Sequence, residues 1–395
     1  MRIRPGKSMP KAAAPTRAHS DEAAEGVLEV RIEMHREAIG ANGADDAAVI
    51  CGIGYWLPTR IVSNAELCSR LDTSEDWILA RTGIRARRRV EPGQATSDLA
   101  VEAGIAALKS AGGEPVQALV LATTTPDHPC PATAPEVASR IGLTGVAAFD
   151  ISAVCSGFLY GLATAAGFIS AGTADRVLLI AAEAFSTLVD PDDRTTVPIF
   201  GDGAGAVVLR RGTADEAGAV GPVILGSDGD RSHLIMVAAG GSRQRSRGTA
   251  VAERDRYFQM QGREVFRQAI ERMSAAARDA LAAAGWQLSD VNRLIAHQAN
   301  ARINAGLAHA LGLKPDAVPQ NIAEVGNTAG ASIPILLAQA TETGQLAPHD
   351  RVLLVAFGGG LTWGATTLTW PALDIPDGGR RPAESLQIAN SRMTH

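Results

Sequence analysis

From residue 47 onward the chain alternates short apolar runs with longer stretches of helical spacing, and glycine, proline and charged residues mark the turns between them. In the first half the runs 47–53, 118–122, 147–151, 176–182 and 205–209 predict buried strands, and 97–110, 134–141 and 156–170 predict helices. The second half repeats the alternation. Strands are expected at 222–226, 293–296, 318–321, 352–356 and 366–369, and helices at 263–284, 301–310 and 331–341. Alternating strand and helix favours sheets covered by helices, so each half reads as an α/β unit. Two similar lobes are expected, 47–215 and 216–372, joined where charge, glycine and alanine interrupt the strands at 211–221. Residues 1–46 show no sustained apolar face apart from an amphipathic piece at 27–39 and read as a flexible extension; 373–395 reads as a flexible tail.

Composition narrows the class of protein. With 395 residues, 46% hydrophobic and 20% charged, the chain has the make-up of a globular protein large enough for more than one core. Lysine and arginine number 37 against 42 acidic residues, a net charge of −5 too balanced to suggest nucleic acid as a partner. The four cysteines, Cys51, Cys68, Cys130 and Cys155, are scattered, which fits a reducing cytoplasm better than a disulfide scaffold. The most apolar stretch, 158–172, is shorter than the roughly 20 residues a membrane span needs, so no membrane partner is expected. The basic start has no apolar signal core behind it, and Asp21, Glu22 and Glu25 soon reverse its charge. None of the eight histidines sits at metal-ligand spacing from another, and neither a metal nor a cofactor is expected.

Four segments carry candidate chemistry. In Asp150-Ile-Ser-Ala-Val-Cys155-Ser-Gly157 a strand gives way to a cysteine and then a helix, which sets a thiol where helix-end N–H groups lower its pKa and receive negative charge. A buried core cysteine accounts for the same spacing equally well. In Leu294-Ile-Ala-His297-Gln-Ala-Asn300 an apolar strand delivers a histidine to its carboxyl end, where open sheets place reacting groups, although a lone histidine there is more often structural. Asn327, in Val325-Gly-Asn327-Thr-Ala-Gly330, offers either an amide donor or a helix cap. Gly358-Gly359-Gly360 lets backbone approach a ligand, or simply turns between strands.

Taken together these segments resemble β-ketoacyl-acyl carrier protein synthase III, a condensing enzyme of the thiolase-like superfamily. The resemblance runs from Ala47 to Pro371 and includes Trp77-Ile-Leu-Ala-Arg81-Thr-Gly83, Phe200-Gly-Asp202-Gly-Ala-Gly205, Gly240-Gly-Ser-Arg243 and Met260-Gln-Gly262. It implies a thiolase-like α/β fold, two pseudo-symmetric lobes in five α/β/α/β/α layers, and a homodimer. It also implies a catalytic set of Cys155, His297 and Asn327, with the N–H groups of Cys155 and Gly359 as oxyanion hole. Cys155 would take an acyl group from acyl-CoA. His297 and Asn327 would then stabilise the enolate formed as malonyl-acyl carrier protein loses carbon dioxide, and the enolate would attack the acyl-Cys155 thioester. Thiolate chemistry suits both steps, since sulfur is a good nucleophile and a good leaving group.

For binding, the resemblance implies Trp77 and Arg81 beside CoA and Arg302 beside the acidic carrier protein; each alone reads equally as ordinary surface structure. In His128-Pro-Cys130-Pro131 this chain departs from the family. Many relatives have an aromatic residue there that crosses the dimer interface into the acyl pocket, so Cys130 implies room for a longer or branched acyl group. An inert cysteine is the other reading of Cys130, and Cys51 and Cys68 are read as structural. The competing function is a related acyltransferase or polyketide-priming enzyme that passes the acyl group to a hydroxyl, an amine or a carrier protein. Asn327 argues for decarboxylation, because plain acyl transfer needs no enolate stabiliser.

Overall fold

The alternation of side chains along doubly buried strands decides the layering. We label the principal strands β1 (Ala47–Trp56), β2 (Ala118–Ala122), β3 (Ala147–Ile151), β4 (Arg176–Glu183), β5 (Gly203–Gly212), β6 (Ile224–Ser227), β7 (Arg293–Ala296), β8 (Arg351–Gly358) and β9 (Thr362–Thr369). The principal helices are α1 (Glu75–Thr82), α2 (Thr96–Ser110), α3 (Gly157–Ser170), α4 (Gly262–Ala284), α5 (Ala301–Leu311) and α6 (Ser332–Glu342). Every residue of β2 is buried. Leu119 and Leu121 face one core with Leu99 and Ala103 of α2; Val120 and Ala122 face another with Phe158 and Leu162 of α3 and Leu336 of α6. That second core also takes in Leu354 of β8, while Leu353 and Val355 point to a third core with Met273 and Ala277 of α4 and Leu307 of α5. The layers therefore run helix, sheet, helix, sheet, helix.

The computed structural model describes residues 46–248 and 250–375. The amphipathic piece at 27–39 and nearly all of the expected extension and tail lie outside the described residues; Leu373 and Ile375 pack on the central core.

One sheet has strand order β1-β5-β4-β2-β3 and the other β7-β8-β9-β6. In the first, β4 and β2 pair in parallel, while β4 with β5 and β5 with β1 pair antiparallel. The second repeats this sequence of directions: β7 and β8 are parallel, then β8 with β9 and β9 with β6 antiparallel.

Among the described residues this sheet has no counterpart of β3, and the strand expected at 318–321 is corrected. Residues 318–321 follow a 3-10 turn, Pro315–Ala317, and have no ladder. Pro319 has no N–H to give a neighbouring strand, and the Asn321 N–H goes to the Gln298 side chain at 3.4 Å. The short paired strands Arg60–Ser63 and Ala86–Arg89, and the pair Ile235–Val237 and Phe258–Met260, were not expected from the pattern. Each is too brief for period-two alternation to show.

Helix α6 packs so tightly on β5 that a Cβ added at Gly205 would lie 2.7 Å from Pro334 Cβ and 2.8 Å from the Ile335 nitrogen. Gly205→Ala is expected to cost about 1–3 kcal/mol of stability through forced separation of the two. Urea unfolding should show a lower midpoint with unchanged slope; an unaltered midpoint would contradict this spacing.

Candidate active site

The segment after β3 bends sharply to present Cys155. Val154 has φ of 47°, a left-handed conformation costly for a β-branched residue, and Cys155 follows in a 3-10 turn, Val154–Ser156, that runs directly into α3. The bend is tied to the glycine turn after β8. Ser156 Oγ donates to the Thr362 carbonyl at 3.1 Å, and Thr362 Oγ1 lies 3.0 Å from the carbonyls of both Ala153 and Gly359. A Cβ on Gly358 would sit 2.7 Å from the Cys155 nitrogen, so glycine is required for this approach. Gly359 is next in line and faces Val154 and Ile235.

His297 comes from the end of β7 in the second sheet and Asn327 from the loop that leads into α6; one short stretch, residues 327–332, links both to the Cys155 bend. At one end Asn327 is anchored beside Phe200: its N–H donates to the Ile199 carbonyl at 2.9 Å, and its carbonyl accepts from the Gly201 N–H at 3.0 Å. The Asn327 Oδ1 accepts from the Ala329 N–H at 2.9 Å, which turns Nδ2 toward the Ala299 carbonyl, 3.4 Å away. In the middle, Gly330 meets Val154; an added Cβ would lie 2.9 Å from the Val154 carbonyl oxygen. At the far end Ser332 Oγ is 2.6 Å from His297 Nδ1. His297 follows β7 directly and is buried, with its N–H bonded to the Val355 carbonyl at 2.9 Å.

Electrostatics hold the set neutral at rest. Burial alone lowers the His297 pKa to about 3, so its imidazole is uncharged at physiological pH. The expectation that the helix end lowers the Cys155 pKa is corrected. Burial pushes the thiol up, the nearby Glu183 charge adds to this, and hydrogen bonding to the Cys155 backbone opposes them only in part.

Glu183 itself was missed by sequence reasoning, although a carboxylate closing the apolar strand β4 was the available signal. It is fully buried and accepts from the Thr124 N–H at 3.1 Å and Thr125 Oγ1 at 3.0 Å, with the Gly330 N–H also stabilising its charge. Burial nevertheless raises its pKa to about 7.

The apolar surroundings of the thiol were also not foreseen. Phe185 and Phe200 stack at 4.5 Å between centroids, Phe258 meets both edge-on at 5.2 and 5.0 Å, and Cys155 packs on the same cluster with Ile235, Val237 and Met260. Asp202 secures the arrangement by accepting from the N–H groups of Ser186 and Val90 at 2.7 and 2.8 Å. Its glycine-rich motif therefore holds both the aromatic cluster and Asn327.

The expected binding residues Trp77, Arg81 and Arg302 lie on the neighbouring helices α1 and α5. The Arg81 guanidinium stands 5.7 Å from the centroid of the partly exposed Trp77 ring, both on α1. Asn300 caps α5 through the Arg302 N–H at 2.9 Å and donates to the Arg81 carbonyl at 3.1 Å, which brings Arg302 alongside. Arg302 is exposed, its guanidinium 5.8 Å from the Phe266 ring. Cys130 is exposed on this chain. Among the described residues no helix is long and apolar enough to cross a membrane.

Comparison with known proteins gives concordant results. The family model described as 3-oxoacyl-[acyl-carrier-protein] synthase III matches residues 149–229, and the model of its C-terminal part matches 281–370. Over 330 residues the chain is 56% identical to a β-ketoacyl-[acyl-carrier-protein] synthase III of Streptomyces coelicolor, covering 83% of this chain and 98% of that one. The crystal structure of 3-oxoacyl-(acyl carrier protein) synthase III from Pseudomonas aeruginosa matches with TM-score 0.77 and 49% identity, over 83% of this chain and 99% of the other. The priming β-ketosynthase of the R1128 polyketide pathway matches with TM-score 0.78 and 32% identity, over 85% and 99%.

Glu183 predicts a particular pH dependence of stability. Its pKa is about 7 in the folded protein against an ordinary 4.5, so between these values the folded state holds a proton that the unfolded state releases. Stability therefore falls as pH rises through this window and levels off above it. His297 acts oppositely, losing stability as pH falls from 6.5 toward 3. Relative to wild type, Glu183→Gln should gain stability between about pH 5 and about pH 8 in urea unfolding. A difference between the two proteins that stays constant with pH would refute the assignment.

Proposed function

The chain belongs to the 3-oxoacyl-[acyl-carrier-protein] synthase III family, and from that premise we propose how its residues divide the work. It is an acyltransferase of thiolase-like fold that condenses an acyl-CoA primer with malonyl-acyl carrier protein, giving 3-oxoacyl-acyl carrier protein, CoA and carbon dioxide. This is an initiating step of fatty-acid or polyketide assembly, a range supported by the similarity to a priming β-ketosynthase.

In this reading Cys155 attacks the thioester carbonyl of the primer. The N–H groups of Cys155 and Gly359 stabilise the tetrahedral oxyanion; CoA sulfur departs and takes up the proton that the thiol gave up. Because burial and Glu183 disfavour the free thiolate, the anion forms at the moment of attack, when the developing charge can pass to those donors. The acyl chain lies against Phe185, Phe200 and Phe258.

Malonyl-acyl carrier protein then replaces CoA. His297 Nε2 and Asn327 Nδ2 donate to its thioester oxygen as carbon dioxide leaves, and the enolate carbon attacks the acyl-Cys155 carbonyl. The carbon–sulfur bond breaks, and the Cys155 thiolate regains a proton from solvent. Neutral donors suit this step, since they offer hydrogen bonds to a growing negative charge without fixing the resting carboxylate as an ion pair. The single observation that carries the reading is the 327–332 stretch, which touches the supports of all three groups.

On α1, Trp77 and Arg81 hold the nucleotide end of CoA, and Arg302 meets the acidic carrier protein. The dimeric assembly is supported by β3, a sheet-edge strand of largely apolar sequence that stays partly exposed on the single chain. In such a dimer Cys130 reaches the partner's acyl pocket, where its small side chain leaves space for longer or branched primers.

Intact-mass analysis tests both half-reactions. Cys155→Ala should show no acyl adduct with any acyl-CoA. Asn327→Ala should still acquire the adduct while releasing carbon dioxide from malonyl-acyl carrier protein about 10²–10³-fold more slowly. Unchanged product formation by the Cys155 variant would overturn the assignment. Across a panel of primers, medium-length or branched acyl-CoAs should label the wild-type protein; labelling by acetyl-CoA alone would contradict the role given to Cys130.

A further inference from the structure

The Ser332 hydroxyl sits between two nitrogens. It is 2.6 Å from His297 Nδ1 and 3.3 Å from the Gln298 backbone nitrogen. Ser332, His297 and Gln298 are all buried, at 2%, 2% and 0% exposure, so solvent does not complete their hydrogen bonding. A serine hydroxyl has one hydrogen to give and two lone pairs to offer. The Gln298 nitrogen is an amide and can only donate, so it occupies one lone pair.

His297 Nδ1 is the sole acceptor in contact with the hydroxyl among the described residues. Were Nδ1 protonated, it too would donate to the oxygen, and the hydroxyl hydrogen would be buried with nothing to receive it. Were Nδ1 bare, every group would be satisfied: Gln298 donates to Ser332, and Ser332 donates to His297. Gln298 is itself held in place, its Nε2 donating to the Ala296 carbonyl at 2.9 Å and its Oε1 accepting from the Asn321 N–H at 3.4 Å. The amide that points at Ser332 is thus fixed.

We infer that Ser332 is a positioning residue that commits His297 to the tautomer with bare Nδ1 and protonated Nε2, making the imidazole a hydrogen-bond donor toward the reacting centre. The chain of donation has one direction, from the Gln298 amide through the Ser332 hydroxyl to the ring. His297 then cannot act as base for the Cys155 thiol from that nitrogen; it serves the enolate and not the acylation. The use made of the tautomer rests on the decarboxylating function proposed above, whereas the tautomer itself does not.

The test separates the two. Nitrogen-15 NMR of histidine-labelled full-length protein, with the His297 signals assigned by their loss in His297→Gln, should show Nδ1 unprotonated and Nε2 protonated in the wild type. Ser332→Ala should shift these signals toward a mixture of tautomers, and Ser332→Thr, which keeps a hydroxyl, should restore them. In mass-based assays Ser332→Ala should acquire the acyl adduct at a rate within about twofold of wild type, but release carbon dioxide from malonyl-acyl carrier protein about 10–100-fold more slowly, with recovery in Ser332→Thr. A protonated Nδ1 at His297 in the wild-type spectrum would overturn the inference even if neither Ser332 variant folded. Equal slowing of both half-reactions would also overturn it, because a merely structural role moves both. The expected spectra in a protein that neither acquires an acyl group nor releases carbon dioxide would uphold the tautomer and sink the proposed function instead.

Discussion

No side chain fits between Gly330 and the Val154 carbonyl, and the geometry of the site depends on that contact. It is made by two segments whose flanking residues, Val154 and Ala329, both adopt left-handed backbone at φ of 47° and 45°. Such conformations cost of order 1–3 kcal/mol each outside glycine and persist only where surrounding structure overdetermines them. Here the surroundings do so. Glu183 stabilises the stretch from behind through the Gly330 N–H, the glycine turn at 358–359 closes on Cys155 from one side, and the anchoring of Asn327 beside Phe200 fixes the other end. Each anchor comes from a different strand end, so the position of one reacting group is set by the packing of both sheets.

The same burial that gives precision removes charge. A thiol disfavoured as thiolate, an imidazole far from protonation and a carboxyl raised to about 7 all follow from placing titratable groups in poorly hydrated, largely apolar surroundings. For a hydrolase needing a strong general base this would be a handicap. For a condensation that creates and consumes a carbanion, it is suitable: a permanent cation beside the thiol or the malonyl carboxylate would stabilise the ground state as much as the transition state.

Much of this fold is legible in the sequence because doubly buried strands appear as unbroken apolar runs, as at Ala118–Ala122, where expected and observed bounds coincide. The bounds also coincide at the edge strand Ala147–Ile151, whose run is apolar apart from Asp150. The strand expected at 318–321 does not form because Pro319 has no N–H and the side chain of Gln298 takes that of Asn321, which removes donors a ladder needs. Cys155, His297 and Asn327 stood out since each interrupts or ends an apolar element. Ser332 and Glu183 did not, for a reason of scale. Ser332 lies 35 residues from His297, and Glu183 lies 59 from Thr124, so neither pairing leaves a local pattern. Partners made by tertiary contact become visible only when the sheets are assembled.

That limit bears on how the helix end at Cys155 should be understood. A cysteine before a helix suggests an acidified thiol, and by itself the local geometry favours one. The assembled structure adds an apolar aromatic cluster on one side and a carboxyl on the other, and the balance reverses. The helix-end N–H groups are not wasted by this reversal. In the mechanism proposed above they serve the oxyanion that appears during attack and not a resting thiolate, which is where a donor contributes to rate and not merely to binding. A local motif thus names the group proposed to react, while the packing around it decides at which point along that reaction its charge would develop.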